Sequence, residues 1–506
     1  MQKYITTPIY YTNGAPHIGH AYTTILADVF KKIEQVKGND VFFSTGTDEH
    51  GQKNQHSCEA SGLSADEFLT RQSQLFKDLF NRMDIDYDFF VRTTGESHKK
   101  VVRNVLQDLY DRGLIIKKSY EGLYCEGCEQ FKKKCDLTED GLCPDHQKAP
   151  KVISEENYFF RLEPYRQWLK DYINLHPDWI TPQNYAKEVL GMLEEPLDDL
   201  CISRPKDRVW LGIELPFDKD FVTYIWFDAL INYISTLNYG ENPDFDAFWK
   251  NSYHLLAKDI LKPHCIYWPI MLKAIGIEPV GNCIVHGYWI GEGGVKMSKS
   301  LGNVVDPNEV IDIMGVEPLR FYLINNMSVS SDSPISISLL RQGYKQLANN
   351  LGNLQMRVLK MVDKNLLGQV PASVALKAED TALLTGIANS FKAVYQKDLT
   401  LETAISLADE IMKACTAVNG YFAANAPWVL AKDETQKDRF NEVVYTTMDA
   451  LRLIAMALYP LMPKTAKAIL TSLGLEAESI KADFEGAKLP AGKISVPEPL
   501  FPFLPE

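Results

Sequence analysis

The chain has 506 residues, 45% of them hydrophobic, and a formal net charge of −13. This length predicts about three or four domains with sizeable cores, and the negative charge excludes a general nucleic-acid coat, so any RNA contact must come from local basic patches. No apolar run reaches the ~18 residues of a membrane span, which predicts a protein without a membrane segment.

The number of cysteines and the N-terminal residues both give information on the cellular compartment of the protein. Nine cysteines are unusual for a disulfide scaffold of this size, and four metal-type ligands lie close together in the sequence. The chain begins on a strand-like run, without the basic and apolar segment of a secretory signal. These features favour a reducing compartment, and we expect a cytoplasmic protein; a transit peptide already removed is the alternative.

The first candidate site follows the strand-like run Tyr4–Tyr11, where Pro16 precedes His17-Ile18-Gly19-His20. Proline suits the first turn of a helix, so we predict a helix start here with both histidines on one face. Helix N-termini favour anions such as phosphate, and Gly19 leaves room for a flat group. The stretch predicts a phosphate site; two surface histidines after a turn are the alternative.

Residues 1–114 alternate strand-like and helix-like stretches, which favours a doubly wound α/β sheet. Val41–Thr45 reads as a strand followed by a turn between Gly46 and Gly51, and Val101–Tyr110 reads as an amphipathic helix. Ligands bind at the carboxyl ends of such strands. Asp48 in that turn is a candidate partner for an ammonium group, or alternatively only a turn former.

Residues 115–215 carry two pairs of metal-type ligands, Cys125-x2-Cys128 and Cys143-x2-His146. Three thiolates and one imidazole suit one tetrahedral Zn²⁺ with no open position, so we predict a structural site. Reduced cysteines without metal are the alternative, and Cys135 is a competing ligand. The neighbouring run 132–134 of three lysines is a solvated face or an RNA contact.

Residues 216–290 return to an α/β pattern. Trp226, Ala229, Leu230 and Tyr233 lie at i, i+3, i+4 and i+7 within the apolar run Val222–Ile234, and so occupy one helical face. From the spacing alone, a core stripe is the favoured interpretation.

A glycine-hinged loop follows, in which Gly291, Gly293 and Gly294 precede Lys296 and Lys299. Two lysines three residues apart on such a loop can close on a polyphosphate and neutralise charge on the leaving group. A lysine pair alone is more often a solvated loop, so this motif gains weight only together with the histidine pair far upstream.

From about residue 335 the sequence becomes helical, with helix-like apolar spacing over Leu347–Lys360, Leu401–Ala414 and Tyr445–Leu458. Pro427 and Trp428 interrupt the pattern, and an exposed Trp there could stack on a splayed base. A Trp buried between helices is the alternative. The proline-rich tail 496–506 is predicted to lie extended along the body.

Two signatures carry a resemblance to a known family. Residues 17–20 read HIGH and residues 296–300 read KMSKS, which resembles class I aminoacyl-tRNA synthetases. The longer strings around both resemble the methionyl-tRNA synthetase family, over roughly residues 4–470 of this chain. The resemblance implies a Rossmann-like catalytic domain in two halves (1–114 and 216–290), a connective insertion with a zinc knuckle (115–215), a KMSKS-loop linker (291–335) and a helical anticodon-binding domain (336–506).

The resemblance also implies a reaction and its residues. Members activate L-methionine with ATP, accompanied by Mg²⁺, and transfer it to tRNA(Met). Catalysis falls to His17, His20, Lys296 and Lys299. The implied ATP contacts are Gly19, Lys258, Gly287, Tyr288, Met297 and Ser298. The implied methionine pocket is Ile9, Tyr11, Asp48, Trp226, Ala229, Leu230, Tyr233, Ile260 and His264.

For the tRNA, the resemblance implies an anticodon contact through Pro427, Trp428 and one of two asparagines, Asn350 or Asn353. Some relatives carry a further C-terminal domain that binds RNA and dimerises. This chain stops after the helical region, so we expect a monomer.

Three alternatives remain open at this stage. A leucine, isoleucine or valine enzyme needs a large editing insertion, for which residues 115–215 leave no room beside the zinc ligands, and a cysteine enzyme needs zinc ligands around its pocket. A non-catalytic RNA-binding relative has no need of the intact histidine and lysine pairs. A small-molecule nucleotidyltransferase has no need of the long helical region. Amino-acid-dependent ATP–pyrophosphate exchange separates them.

Overall fold

The computed structural model describes residues 1–125, 130–132, 134, 137–144, 147–224, 226–294, 297, 304–371, 375–476 and 480–504. The strands are β1 Gln2–Tyr11, β2 Asp40–Asp48, β3 Phe89–Arg92, β4 Ile115–Cys125, β5 Gln130–Lys132, β6 Lys151–Phe160, β7 Ile180–Thr181, β8 Leu200–Cys201, β9 Ser203–Pro205, β10 Glu214–Leu215, β11 Asp218–Thr223, β12 Ser252–Ala257, β13 Asn282–His286, β14 Trp289–Ile290 and β15 Ser333–Pro334.

The helices are α1 Ile18–Val36, α2 Gln52–Ser61, α3 Ala65–Arg82, α4 Glu96–Asp111, α5 Arg166–Leu175, α6 Gln183–Met192, α7 Trp226–Ser235, α8 Phe245–Trp249, α9 Trp268–Ile275, α10 Pro307–Met314, α11 Val316–Asn325, α12 Ile337–Leu347, α13 Asn353–Leu366, α14 Ala378–Tyr395, α15 Leu401–Asn425, α16 Pro427–Leu430, α17 Lys437–Leu458 and α18 Pro463–Ser472. Among the described helices, none is both long and apolar enough to span a bilayer.

A six-stranded sheet forms the centre of the first half, in the order β3-β2-β1-β12-β13-β7. All of its neighbouring strands run parallel. The chain leaves β1 toward β2 and β3, and later returns to the other side of β1 through β12 and β13. The order therefore reverses beside β1, and ligands of open α/β sheets bind at such a reversal. This confirms the predicted α/β architecture.

Helix α1 crosses this sheet and is buried on nearly every face. It contacts β1, β2 and β12 of the sheet and also α11 and α15, so the polar residues Asp28, Lys31 and Lys32 on its second half are buried in ion pairs. The helix begins at Ile18, two residues after the proline that the sequence pattern places in its first turn. Pro16 precedes the cap residue His17 and does not occupy the first turn.

Between β3 and β12 in the sequence, the chain forms two smaller sheets. One is antiparallel, in the order β5-β4-β6-β8, and the other has three strands, in the order β10-β11-β9. Strand β7, which falls within the same stretch of sequence, instead pairs with β13 at the edge of the main sheet. This return to the main sheet has no clear signal in the sequence, because β7 has only two residues.

The C-terminal region from α12 onward is helical, as predicted. The segment expected to be one helix at 347–360 is divided, since a π-helical turn at Ala348–Gly352 joins α12 to α13. The other two expected segments are parts of longer helices, α15 and α17. The tail, described to Leu504, contains no helix and packs back on the bundle, where the Tyr344 hydroxyl donates to the Pro502 carbonyl over 2.6 Å.

Candidate active site

Four parallel strands end at one edge of the main sheet. Tyr11 at the end of β1 lies opposite Asp48 at the end of β2, and Ala257 at the end of β12 lies opposite His286 at the end of β13. Asp48 therefore ends a strand, and the predicted turn begins only after it. Gly46 lies within that strand, where a Cβ atom would meet the Val91 carbonyl oxygen at 2.1 Å.

The two histidines of the HIGH segment form one rigid unit at the start of α1. The Nδ1 atom of His17 accepts from the Gly19 N–H over 3.1 Å, and the His17 N–H donates to the Nδ1 atom of His20 over 3.2 Å. The two rings stack with centroids 3.7 Å apart. The pair thereby caps two of the N–H groups that a helix start leaves unpaired.

This arrangement fixes the charge and the proton position of both rings. Desolvation lowers the pKa of His17, and burial together with the neighbouring His17 lowers the pKa of His20 well below its usual value. Both imidazoles are therefore neutral at pH 7. Since each Nδ1 accepts a backbone N–H, the single proton of each ring is on Nε2, which leaves two Nε2–H donors.

His286 links the second pair of strands to α1. Its Nδ1–H donates to the Gly287 carbonyl over 2.8 Å, so its Nε2 accepts the Thr23 hydroxyl of α1 over 2.8 Å. Burial lowers the pKa of His286 to about 4, which keeps this link neutral. A Cβ atom on Gly287 would lie 2.5 Å from the Ser331 carbonyl oxygen, so only glycine allows this close approach.

Lys258 and Tyr288, two predicted ATP contacts, meet next to Gly287. The Lys258 ammonium lies 4.7 Å from the Tyr288 ring centroid and 2.8 Å from the Asp332 carboxylate, which also accepts the Tyr288 N–H. Burial would raise the pKa of Asp332, but the hydrogen bonds from Lys258 and the Tyr288 N–H, together with the charge of Lys258, outweigh it and lower the pKa. The predicted adenosine segment is thus held by an ion pair that the sequence did not indicate.

The residues predicted to bind methionine lie around the start of α7. The Tyr233 hydroxyl donates to Nε2 of His264 over 2.7 Å, and Nδ1–H of His264 donates to the Ile260 carbonyl over 2.9 Å. The Trp226 and His264 rings lie edge-to-face at 6.4 Å. Burial lowers the pKa of His264 to about 4. The result is a neutral aromatic wall.

The other residues predicted to bind methionine differ in how deeply they are buried. Ala229 and Leu230 are buried on the same helix, whereas Ile9 and Tyr11 are half-buried at the end of β1. Tyr11 and Trp226 pack against one aromatic cluster with Tyr124 and Tyr224. The structure therefore brings β1 and α7 together through aromatic rings. Helix α7 begins only at Trp226, because Val222 and Thr223 belong to β11.

A buried pair that the sequence analysis missed fastens α7 to the loop after β2. The Asp228 carboxylate accepts from His50 Nδ1 over 3.0 Å and from the Thr223 hydroxyl over 2.8 Å. Burial would raise the pKa of Asp228, but His50, His98 and Thr223 together outweigh it and lower the pKa. The signal was present, since Asp228 is an acidic residue in an otherwise apolar run, next to the predicted pocket face.

The glycine-hinged loop is described only in part. Lys296, Ser298 and Lys299 lie outside the described residues. At its upstream base, the Trp289 ring lies edge-to-face with Tyr22 of α1 at 5.8 Å, and Met297 is half-buried against the core that contains Tyr22. The base of the loop therefore lies against the helix that carries both histidines.

A second candidate surface lies on the helical bundle. The Trp428 side chain is 42% exposed, and the Arg357 guanidinium lies 5.7 Å from its ring centroid. Asn353 is exposed one turn before Arg357 on α13. Asn350 is half-buried in the π-helical turn, and Pro427 is buried. Arg357 was missed, although its position four residues after Asn353 places both on one helical face.

The predicted metal ligands are likewise described in part. Cys125 and Cys143 are buried, and Cys128, Cys135 and His146 lie outside the described residues. A tight turn closes around Cys143, whose N–H donates to the Lys148 carbonyl over 2.9 Å. Within the described parts of the chain, no three His, Cys, Asp or Glu side chains are grouped as a metal site.

Comparison with known proteins identifies the family. A family model described as class I tRNA synthetases (M) matches residues 3–151 and 136–359. A second, described as the anticodon binding domain of methionyl tRNA ligase, matches residues 370–505. A methionine–tRNA ligase of Caldanaerobacter subterraneus is 39% identical over 98% of this chain and 78% of its own length. One of Streptomyces coelicolor is 37% identical, over 99% and 97%.

Solved structures agree. Mycobacterium tuberculosis methionyl-tRNA synthetase in complex with methionyl-adenylate matches with a TM-score of 0.94 and 32% identity, over 99% of this chain and 100% of that chain. The free form of the same enzyme matches with a TM-score of 0.87 and 30% identity, over 100% and 99%. These matches confirm the resemblance, and the chain belongs to the methionyl-tRNA ligase family of class I tRNA synthetases.

Proposed function

We propose that this chain is a methionine–tRNA ligase, which activates L-methionine with ATP and transfers it to the 3′ end of tRNA(Met). The observation that supports this best is that two features adjoin the carboxyl end of β1: α1 follows β1 in the chain, and Tyr11 at the end of β1 shares an aromatic cluster with Trp226. The two features are the neutral histidine pair at the start of α1 and the aromatic wall of Trp226, Tyr233 and His264. The carboxyl end of β1 also lies at the strand-order reversal where such sheets bind nucleotides.

In the first step, a methionine carboxylate oxygen attacks the α-phosphorus of ATP. The new O–P bond forms as the bond from the α-phosphorus to the bridging oxygen breaks, and pyrophosphate leaves. The Nε2–H groups of His17 and His20 donate to the phosphates at the N-terminus of α1. Lys296 and Lys299 stabilise the charge on the leaving group as their loop closes. Mg²⁺ bound with ATP supplies further neutralisation.

The nucleotide is held beside these groups. Gly19 gives backbone access at the helix start, and Gly287 gives it after β13. Lys258 and Tyr288 flank the adenosine, and their link to Asp332 holds both in place. Met297 and Ser298 complete the contact from the loop.

Methionine occupies the aromatic pocket. A thioether packs well against ring edges, which suits a wall of Trp226, Tyr233 and His264. Because His264 is neutral, the pocket offers no full charge to the apolar side chain. The buried Asp48 carboxylate faces the ammonium group. The remaining contacts are Ile9, Tyr11, Ala229, Leu230 and Ile260.

In the second step, a terminal ribose hydroxyl of tRNA(Met) attacks the carbonyl carbon of methionyl-adenylate. The ester C–O bond forms as the bond from the carbonyl carbon to the phosphate oxygen breaks; AMP leaves with that electron pair, and the hydroxyl proton is released. The anticodon is read on the bundle, where Trp428 stacks on a base above Pro427. Of the two candidate asparagines, Asn353 fits better than Asn350, because it is exposed on the same face as Arg357.

A structural Zn²⁺ is proposed for the insertion. Cys125, Cys128, Cys143 and His146 would hold it, and the burial of Cys125 and Cys143 fits a closed site. The metal would cross-link two short loops and take no part in the chemistry. Native mass spectrometry should find one Zn²⁺ per chain. Chelation should increase proteolysis within residues 115–150, and a chain isolated without metal would contradict the site.

Three broader expectations belong to the same proposal. The chain divides into catalytic halves (1–114 and 216–290), insertion, linker and anticodon domain as the sequence predicts. It acts as a monomer, because one chain supplies every proposed group, and sedimentation velocity tests this. Its compartment is the cytoplasm, where ATP and tRNA meet.

ATP–pyrophosphate exchange measured with each of the twenty amino acids tests the function. Exchange with methionine alone, followed by charging of tRNA(Met), is the expected result. Exchange with another amino acid would indicate a different synthetase. Absence of exchange with all twenty would exclude the ligase.

A further inference from the structure

The most deeply buried arginine of the C-terminal half joins four segments of the chain. Arg320 of α11 is fully buried. Its Nη2 donates to the Asp28 carboxylate over 2.5 Å and to the Pro460 carbonyl over 3.2 Å, and its Nε donates to the Leu461 carbonyl over 3.0 Å. Its Nη1 donates to the Met83 carbonyl over 3.3 Å. One guanidinium thus fastens α1, α11, the loop after α3 and the turn between α17 and α18.

The Asp28 carboxylate, which accepts from Arg320, is also held by other donors. The second oxygen of Asp28 accepts from Lys32 Nζ over 2.5 Å and from the Asp86 N–H over 3.0 Å. Burial would raise the pKa of Asp28, but Arg320 and Lys32 outweigh it and lower the pKa. Asp28 is therefore a carboxylate at neutral pH, and the contact with Arg320 is a buried ion pair.

Two helices that meet at Arg320 each extend to a proposed functional surface: α1 to the histidine pair and α17 to the region of Trp428. Asp28 lies eight residues after His20 on the same helix, about 12 Å along its axis. The turn at Pro460 follows α17, whose 22 residues span about 33 Å. At the far end of α17, Arg439 donates to the Asn425 side chain over 2.7 Å, three residues before Trp428.

A second contact makes the junction rigid. Glu317, one turn before Arg320, accepts from the backbone N–H groups of Lys464 and Thr465 over 2.5 and 2.8 Å, which caps α18. Helix α11 is thereby bound to both sides of the α17–α18 turn. Because two directional contacts one turn apart hold the bundle, a rotation about either contact would break the other.

We propose that Arg320 is a positioning residue for the transfer step. It holds the bundle that carries Trp428 in one orientation relative to α1, so that a tRNA bound at the bundle places its 3′ end at the adenylate. This inference rests on the proposed function. Arg320 is fully buried, and its partner Asp28 lies about 12 Å along α1 from His20, so we expect adenylate formation not to depend on it. A buried ion pair is a poor source of stability but a good source of fixed geometry, which fits this role.

Two variants test the proposal with a matched control. Arg320→Lys keeps the charge but loses the planar fork that reaches four carbonyl and carboxylate groups. The triple variant R320M/D28L/K32M replaces the ion pair and the buried Lys32 that also contacts Asp28 with apolar side chains, so that no member of the cluster is left as an unpaired buried charge. Lys464→Ala removes the exposed ion pair between Lys464 and Asp84, which joins the same parts of the chain.

We expect both Arg320 variants to lower kcat for charging of tRNA(Met) by about tenfold, with methionine-dependent exchange and the KM for tRNA within about twofold of wild type. The preference for tRNA(Met) over a tRNA with a changed anticodon should fall by a similar factor, which lost stability alone does not produce. Lys464→Ala should change none of these values.

Three outcomes would overturn the inference: unchanged kcat and anticodon preference in R320K, loss of exchange in proportion to charging, or an equal effect of Lys464→Ala. If R320K fails to fold, as judged by thermal unfolding, the triple variant gives the same readout; failure of both to fold would make Arg320 a stability residue and also overturn the inference. A wild-type chain without exchange would instead contradict the proposed function.

Discussion

The start of α1 and the exposed face around Trp428 are built in opposite ways. At α1, backbone N–H groups orient two stacked, neutral histidines before any ligand arrives. Around Trp428, side chains support an exposed ring, among them Phe422 at 6.3 Å and Arg357 at 5.7 Å. Phosphoryl transfer gains from donors fixed in advance. Base stacking tolerates adjustment on binding. The two regions therefore predict different responses to substitution.

The largest expected effect is at the start of α1, where the hydrogen-bond donors are oriented in advance. His20→Ala removes one phosphate donor and the cap of the His17 N–H, so methionine-dependent exchange should fall by ~10²-fold or more. Binding of tRNA(Met), measured by filter retention, should stay unchanged. The control is His56→Ala on the surface of α2. An unchanged exchange rate would remove the assigned role of His20.

A smaller effect is expected on the open face. Trp428→Ala should lower kcat/KM for charging by roughly 10- to 100-fold, as loss of one stacked base does, while exchange stays intact. Val429→Ala, at a neighbour that is 58% exposed, should leave both values unchanged. Equal loss of charging and exchange in Trp428→Ala would refute the separation of the two regions.

The close packing around Gly287, next to the predicted adenosine contacts, predicts a third effect. Gly287→Ala forces a methyl group toward the Ser331 carbonyl and displaces the Asp332 segment, so the KM for ATP should rise about tenfold with little change in the KM for methionine. Gly191→Ala on α6, where a Cβ meets no neighbour, is the control. A normal KM for ATP would place the adenosine elsewhere.

The last prediction concerns stability. Burial lowers the pKa of His98 to about 4, so between pH 6.5 and 4 the unfolded chain binds a proton that the folded chain does not. Acidification from pH 7 to 5 therefore destabilises the fold, by about 2 kcal/mol from this residue. In urea unfolding, His98→Gln should lose about that much less than wild type, and exposed His56→Gln should behave as wild type.

Local patterns predicted much of this molecule because they depend on near neighbours in the chain. The strand before His17, the helix after it and the helical C-terminal region all follow from periodicity. The side-chain pairs that the sequence did not predict join residues that are far apart along the chain. His50 and Asp228 are separated by 178 positions, and Lys258 and Asp332 by 74, so no window of sequence contains either pair.

The sequence by itself determined the family, the fold class and the two signature segments, since each is a property of short contiguous strings. Only the tertiary structure decided the charge of the histidines, the support of the pocket and the junction at Arg320. A pKa and a buried ion pair depend on which distant groups exclude water from a side chain, and that exclusion arises only when helix, sheet and bundle pack together.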